Sequence, residues 1–152
     1  MGNLYDRILV PTDGSASMDP VLDHARDLAR IHDATVVALY VIDASAFTDL
    51  PMETSYDTIR SMLREEGETA MDEARASMGE EVTVETDVVE GSPASEITSY
   101  AVENGCDVIV MGTHGRGGID RLLLGSVAER VIRRSSVPVL TVRVSPPDED
   151  AT

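Results

Sequence analysis

Residues 35–42 read Thr-Val-Val-Ala-Leu-Tyr-Val-Ile, a run of β-branched and apolar side chains. Successive side chains on a strand point to opposite faces. A run that is apolar at both odd and even positions must therefore be covered on both sides, which is the pattern of a parallel sheet with helices on each face. This stretch decides the fold class. Working outward from it, Tyr5 to Val10 ends in Ile8-Leu9-Val10 and stops at Pro11, Val108-Ile109-Val110-Met111 forms a second fully apolar run, and Val137 to Val144 forms a last strand. Val82 to Val89 sets Val82 and Val84 among acids and threonine, which predicts a more exposed strand near a sheet edge.

Helical patterns separate these strands. Asp19 followed by Pro20 reads as an N-cap with proline at the first helical position, and Val21, Leu22, Ala25, Leu28 and Ala29 follow at helical spacing. Asp43 to Glu53 reads as a loop. Ser55 to Met78 predicts a longer helix with Ile59, Met62, Leu63, Ala70 and Ala74 inward, closed by Gly79. Ser92-Pro93 opens a third helix, with Ala94, Ile97 and Ala101 on one face and Gly105 at its end. Ser126 to Arg134 reads as a fourth, opened by a capping box of Ser126 and Glu129. The order βαβαβαβαβ with short connections demands a parallel sheet with helices on both faces. No second domain or internal repeat is visible; residues 146–152 are an acidic, proline-bearing tail of disordered composition.

Composition removes several functions. The chain has 152 residues, 42% of them apolar, which matches one domain with one substantial core. Acids number 28 and bases 12, for a net charge of −16, and every base is arginine. Without lysine there is no Walker A loop, no kinase strand lysine and no Schiff-base nucleophile. The acidity argues against nucleic-acid binding, which needs a basic footprint. Cys106 stands alone and cannot form an internal disulfide, and the scattered histidines make no zinc spacing. No apolar run approaches the ~20 residues of a membrane span. Met1 to Asp6 lacks the basic and apolar regions of a secretory signal, so a cytoplasmic location is expected. Acid excess with no lysine resembles a salt-adapted proteome, in which dense carboxylates keep a protein hydrated.

The chemistry is expected beyond the carboxyl ends of the strands, where ligands of open α/β sheets bind. The most informative segment there is Gly112-Thr113-His114-Gly115-Arg116-Gly117-Gly118, followed by Gly125-Ser126. Glycines permit close backbone approach. A helix amino end offers unpaired N–H groups and a positive dipole end to an anion. Together with the Ser126 hydroxyl, these groups suit a phosphate chain; a glycine-rich connection without a ligand is the alternative. It is not a dinucleotide fingerprint, since Asp120 occupies the third glycine position and the segment follows the fourth strand.

Gly112, Gly115, Gly125 and Ser126 form a Gly-x-x-Gly, nine residues, Gly-Ser pattern that resembles the nucleotide-binding motif of the universal stress protein family. Pro11-Thr12-Asp13-Gly14-Ser15, Val41-Ile42-Asp43, Leu123 to Val127 and Val137-Pro138-Val139-Leu140 agree with it, over residues 4–144. The resemblance implies a three-layer αβα sandwich, Rossmann-like or adenine nucleotide alpha hydrolase-like. Its five-stranded parallel sheet would have the order 3-2-1-4-5, in a family domain spanning residues 1–145. It also implies ATP, with Mg²⁺ as a companion that family members can carry on the phosphates. By position Asp13 would meet the ribose, ahead of a role as turn cap, with Pro11 and Thr12 beside it. Val41 would contact adenine through backbone. Met111, Gly112, His114, Gly115, Arg116, Gly125, Ser126 and Val127 would surround ribose and phosphates. Arginine at 116, a position the resemblance leaves open to lysine, would present a planar fork instead of a point charge.

Other residues receive plainer readings. His114 lacks a sequence-placed carboxylate to orient it as a general base. Arg116 and Arg121 are candidates for phosphate contact, whereas Arg133 and Arg134 offset a helix dipole. Cys106 is expected to be a small, inert, semi-buried side chain. Pro138 confines the last strand to an edge or to its own beginning. Self-pairing of Val137 to Val144 across a twofold axis would cover that edge, and the resemblance points to the same homodimer. The expected function is an ATP-binding regulator of cytoplasmic stress adaptation. The competing reading is a slow ATP hydrolase or nucleotidyl-transfer enzyme on the same fold. A phosphoryl receiver is excluded by Glu90 and the absent lysine.

Overall fold

The computed structural model describes residues 4–47, 55–114 and 124–144. Five strands, β1 (Arg7–Pro11), β2 (Thr35–Asp43), β3 (Val84–Gly91), β4 (Val108–Gly112) and β5 (Val139–Val142), form one parallel sheet in the order β3-β2-β1-β4-β5. Four helices connect them: α1 (Asp19–His32), α2 (Tyr56–Met78), α3 (Pro93–Glu103) and α4 (Ser126–Arg134). Alternation along the strands builds two cores. Ile8, Val10, Val36, Ala38, Val108 and Val110 face α1 and α2, while Leu9, Val37, Leu39, Ile109 and Met111 face α3 and α4. The expected double cover of residues 35–42 is therefore present. The chain winds outward from β1 to β3 over the first face, then crosses the second face to place β4 on the other side of β1. The winding reverses between β1 and β4, and their carboxyl ends flank the reversal.

Several local expectations need correction. Asp19 is the first residue of α1, not its cap; Met18 is the N-cap, at the end of a 3-10 turn over Ala16–Met18, and caps without a side-chain bond. Buried Met18 anchors that turn in the core, leaving the Asp19 carboxylate in the first turn, where the dipole favours it. Met62 is 53% exposed, because full burial on α2 begins only at Gly67. The stretch after β2 opens with a 3-10 turn, Ala44–Phe47, begun by the bond from Ser45 N–H to Asp43 Oδ1 (2.9 Å). Phe47 is held beneath Arg60, whose guanidinium lies 4.9 Å from the ring centroid and bonds Glu90 at 3.1 Å. The last strand is shorter than residues 137–144. Val137 N–H bonds the Ser135 hydroxyl, Pro138 has no N–H, and Val144 N–H turns to the Thr113 hydroxyl.

The amino end of the sheet is tied by Arg7. Its guanidinium grips Glu85 through two bonds of 2.9 and 3.1 Å and donates to Asn104 C=O at 2.9 Å. Asp107 Oδ2 accepts from Asp6 and Arg7 N–H at 2.7 and 3.0 Å. The bond from Arg7 is the main cause holding the Glu85 carboxyl below its usual range. Cys106 is more deeply buried than expected, at 4% exposure, and that burial raises its thiol pKa.

Gly67 sets α2 against the sheet without room for a side chain. A Cβ there would lie 2.8 Å from Tyr40 Cδ1 and 3.0 Å from Val88 Cγ1. Alanine is the better helix former by about 1 kcal/mol, yet Gly67→Ala is expected to lower stability by roughly 1–3 kcal/mol through overpacking, read as a lower urea midpoint. Tyr100 on α3 donates to Asp87 Oδ2 on β3 at 3.0 Å. Burial first, and the Asp87 bond second, push its hydroxyl up to about 12. A raised pKa favours the protonated form, so this contribution is intact below the ordinary tyrosine value of ~10 and lost as pH rises through the folded one. Between those values Tyr100→Phe is expected to lose less stability than the wild type in thermal melts.

Candidate functional site

Past Pro11 the chain turns sharply. Thr12 is buried and its N–H bonds Leu39 C=O at 2.9 Å, while its hydroxyl accepts from Gly14 N–H at 3.1 Å. Gly14 takes φ +80°, a conformation that favours glycine. Asp13 Oδ1 accepts from both the N–H and the hydroxyl of Ser15, at 2.9 and 2.6 Å. The turn-capping role ranked behind ribose contact is thus one that Asp13 does perform with this oxygen.

The register of β2 sets the second wall. Thr35 donates to Asp6, Leu39 accepts from Thr12, and Val36 donates to Thr83. Odd residues of β2 therefore turn their backbone groups toward β1 and even ones toward β3. Paired residues run only to Pro11↔Leu39, whereas β2 continues alongside β3 to Asp43. Val41 accordingly directs its N–H and C=O into the gap past the end of β1. Its side chain is half-buried against the α3–α4 core.

The third wall is built on Thr113, which the sequence reading passed over. Its N–H continues the ladder to Val142 C=O (3.0 Å), its C=O accepts from Gly125 N–H (2.8 Å), and its hydroxyl accepts from Val144 N–H (3.2 Å). The bond to Gly125 holds the amino end of α4 beside the end of β4. The cap here differs from expectation. Gly125 is the N-cap and Ser126 the first helical residue, so no capping box forms, and Glu129 pairs with Arg133 at 2.7 Å instead. A glycine cap has no side chain to occupy the first amides. Those of Ser126, Val127 and Ala128 have no acceptor within the helix, while Gly125 N–H is already committed to Thr113.

His114 Nδ1 lies 3.2 Å from the Thr113 hydroxyl, and its buried Nε2 has no hydrogen-bond partner among the described residues. Among the described residues, no carboxylate hydrogen-bonds this ring. Met111 and Gly112 are buried, and Val127 packs partly into the core, so their share of the site is backbone and apolar wall. The structure thus brings Pro11, Thr12, Asp13, Met111, Gly112, Gly125, Ser126 and Val127 to one end of the sheet, with Val41 one strand away. Gly115, Arg116 and Arg121 lie outside the described residues.

A separate open groove of about 490 Å³ runs beside Gly14 along α2, lined by Met62, Glu65, Glu66, Thr69, Ala70 and Glu73. Its three glutamates would repel a phosphate. Among the described residues, no group of three or more His, Cys, Asp or Glu side chains could hold a metal ion.

A doubly wound parallel sheet with helices on both faces and a winding reversal between β1 and β4 defines a Rossmann-like α/β protein. The sequence matches the Universal stress protein family over residues 4–143, and the chain belongs to that family. It is similar to universal stress protein MJ0531 of Methanocaldococcus jannaschii, at 46% identity over 143 residues, covering 93% of this chain and 84% of that protein. It also resembles the solved structure of MJ0577 from the same organism, with TM-score 0.83 and 32% identity, covering 94% of this chain and 99% of that one. A universal stress protein solved in complex with cAMP aligns with TM-score 0.63 and 31% identity, over 93% of this chain and 98% of that one.

Gly112 fixes the end of β4. A Cβ there would sit 2.8 Å from Val144 Cγ2 and 3.1 Å from the His114 carbonyl oxygen. Backbone cannot yield as a side-chain tip can, so Gly112→Ala is expected to lower the thermal midpoint by roughly 4–10 °C, about 1–3 kcal/mol of overpacking.

Proposed function

We propose that this universal stress protein is an ATP-binding regulator of cytoplasmic stress adaptation, with the nucleotide seated at the reversal between β1 and β4. The observation that carries the reading is the amino end of α4. It has no side-chain cap and is fixed at the end of β4 by the 2.8 Å bond between Gly125 and Thr113. Ser126 and Val127 amides, with the Ser126 hydroxyl, receive the phosphates; Gly125 serves as the spacer that lets them approach. Asp13 takes the ribose hydroxyls, beside Pro11 and Thr12. Val41 offers its backbone N–H and C=O to the edge of the adenine. Met111, Gly112, His114, Gly115 and Arg116 complete the surroundings. The cAMP complex of a relative at 31% identity supports an adenine nucleotide in this family. Mg²⁺, when carried, rides on the phosphates.

The partner is a second copy of the chain, paired along β5. That strand is the sheet edge, and all its residues are half-buried in the single chain. An edge of that kind is covered most simply by itself across a twofold axis.

Calorimetric titration with ATP and Mg²⁺ tests the nucleotide reading, and one substitution locates the site. Gly125 sits at φ −64° and ψ 158°, a conformation compatible with a following proline. Proline is favoured at the first helical position. Ser126→Pro therefore removes the amide donor and the hydroxyl while keeping α4. It is expected to weaken ATP binding at least ~10-fold, the loss of about one charge-assisted hydrogen bond, with thermal stability nearly unchanged. Ser126→Ala, which keeps the amide, is expected to weaken it less. Equal affinity in wild type and Ser126→Pro would place the phosphates elsewhere. Steady turnover abolished by one side-chain change would move the protein to the enzyme class.

A further inference from the structure

Thr113 commits its N–H, C=O and hydroxyl oxygen to joining two elements. Two of these bonds reach the end of β5, at Val142 and Val144, and the third reaches Gly125 at the amino end of α4. The backbone ladder between β4 and β5 ends at Gly112↔Val142, so Val144 N–H is held outside it, by the hydroxyl. Val144 is nevertheless 5% exposed, wedged against Gly112, where a Cβ would come within 2.8 Å of it. The His114 ring nitrogen at 3.2 Å further fixes the hydroxyl, whichever of the two supplies the proton.

We propose that Thr113 transmits nucleotide occupancy of the crevice to the carboxyl end of β5, as a positioning residue that touches no ligand atom. This rests on the nucleotide reading above. A phosphate on the Ser126 and Val127 amides immobilises the helix end that Thr113 holds through Gly125. Restricting Gly125 restricts Thr113, and the other two bonds of Thr113 carry that restriction to Val142 and Val144. Linkage makes the effect reciprocal: the factor by which nucleotide tightens the Val144 contact is the factor by which that contact tightens nucleotide binding. The edge strand thereby becomes the part of the molecule that reports the state of the site.

Amide hydrogen exchange on the full chain, with and without saturating ATP, tests this. Val144 lies two residues past the edge strand and exchanges by local opening, whereas Val110 on the inner strand β4 exchanges by global unfolding. A ligand that only stabilises the fold slows Val110 and leaves Val144 unchanged. In the wild type ATP is expected to slow Val144 at least ~5-fold, the lower end of ordinary coupling. In Thr113→Val, which keeps the shape and loses the hydroxyl, Val144 is expected to exchange about 10-fold faster without ATP and to stop responding to it. Thr113→Ser is expected to restore both. Unchanged Val144 exchange in wild type, at ATP concentrations that calorimetry shows to saturate, overturns the coupling and leaves nucleotide binding standing. Equal slowing in wild type and Thr113→Val overturns the role of the hydroxyl. No calorimetric binding by the wild type overturns the nucleotide reading, and the coupling with it. If Thr113→Val does not fold, the wild-type measurement decides alone.

Discussion

The hydrogen bond from Gly125 N–H to Thr113 C=O, at 2.8 Å, is where strand, helix and crevice meet. The carboxyl end of β4 alone would present an open strand terminus, and the amino end of α4 alone would present amides at an arbitrary place. Joined, they put unpaired amides at the point where the winding of the sheet reverses, beside the Thr12–Gly14 turn. The helix opens on a glycine, so no side chain competes for those amides. A chain of net charge −16 has little long-range attraction for an anion. For the proposed nucleotide, short-range donors held in fixed positions are the means left, and a backbone bond between two structural elements fixes them without any lysine.

The frame of the molecule was legible because burial imposes strict patterns. Residues 35–42 are apolar in both registers because both faces are covered, and residues 82–89 are mixed because β3 is an edge. The sheet order came from family resemblance; patterning established only a parallel sheet with helices on each face. What patterning missed lies at element ends. Asp19 and Ser126 are good caps by composition, yet Met18 and Gly125 hold those positions because core packing and the bond to Thr113 set where each helix begins. Met62 keeps helical spacing with its neighbours, but spacing does not say how far a helix runs beyond the sheet it packs on.

Thr113 escaped notice for a related reason. Between Gly112 and His114 it looks like one more residue of a glycine-rich connection. Its importance lies in partners separated from it by up to 31 residues, and only the parallel pairing of β4 with β5 brings those near. Asp13 shows the opposite case. Its position after β1 marked it, and its first oxygen is used to shape the turn that presents Thr12 and Gly14 to the crevice.

Arg7 binds Glu85, Asn104 and Asp107 at the amino end of the sheet, at the far pole from the crevice. The two poles therefore carry separate mutational burdens. Drift in the segments around the crevice leaves the anchoring knot untouched, so the site can change while the frame stays as it is. Damage to the knot would instead loosen the frame itself, whatever the crevice holds.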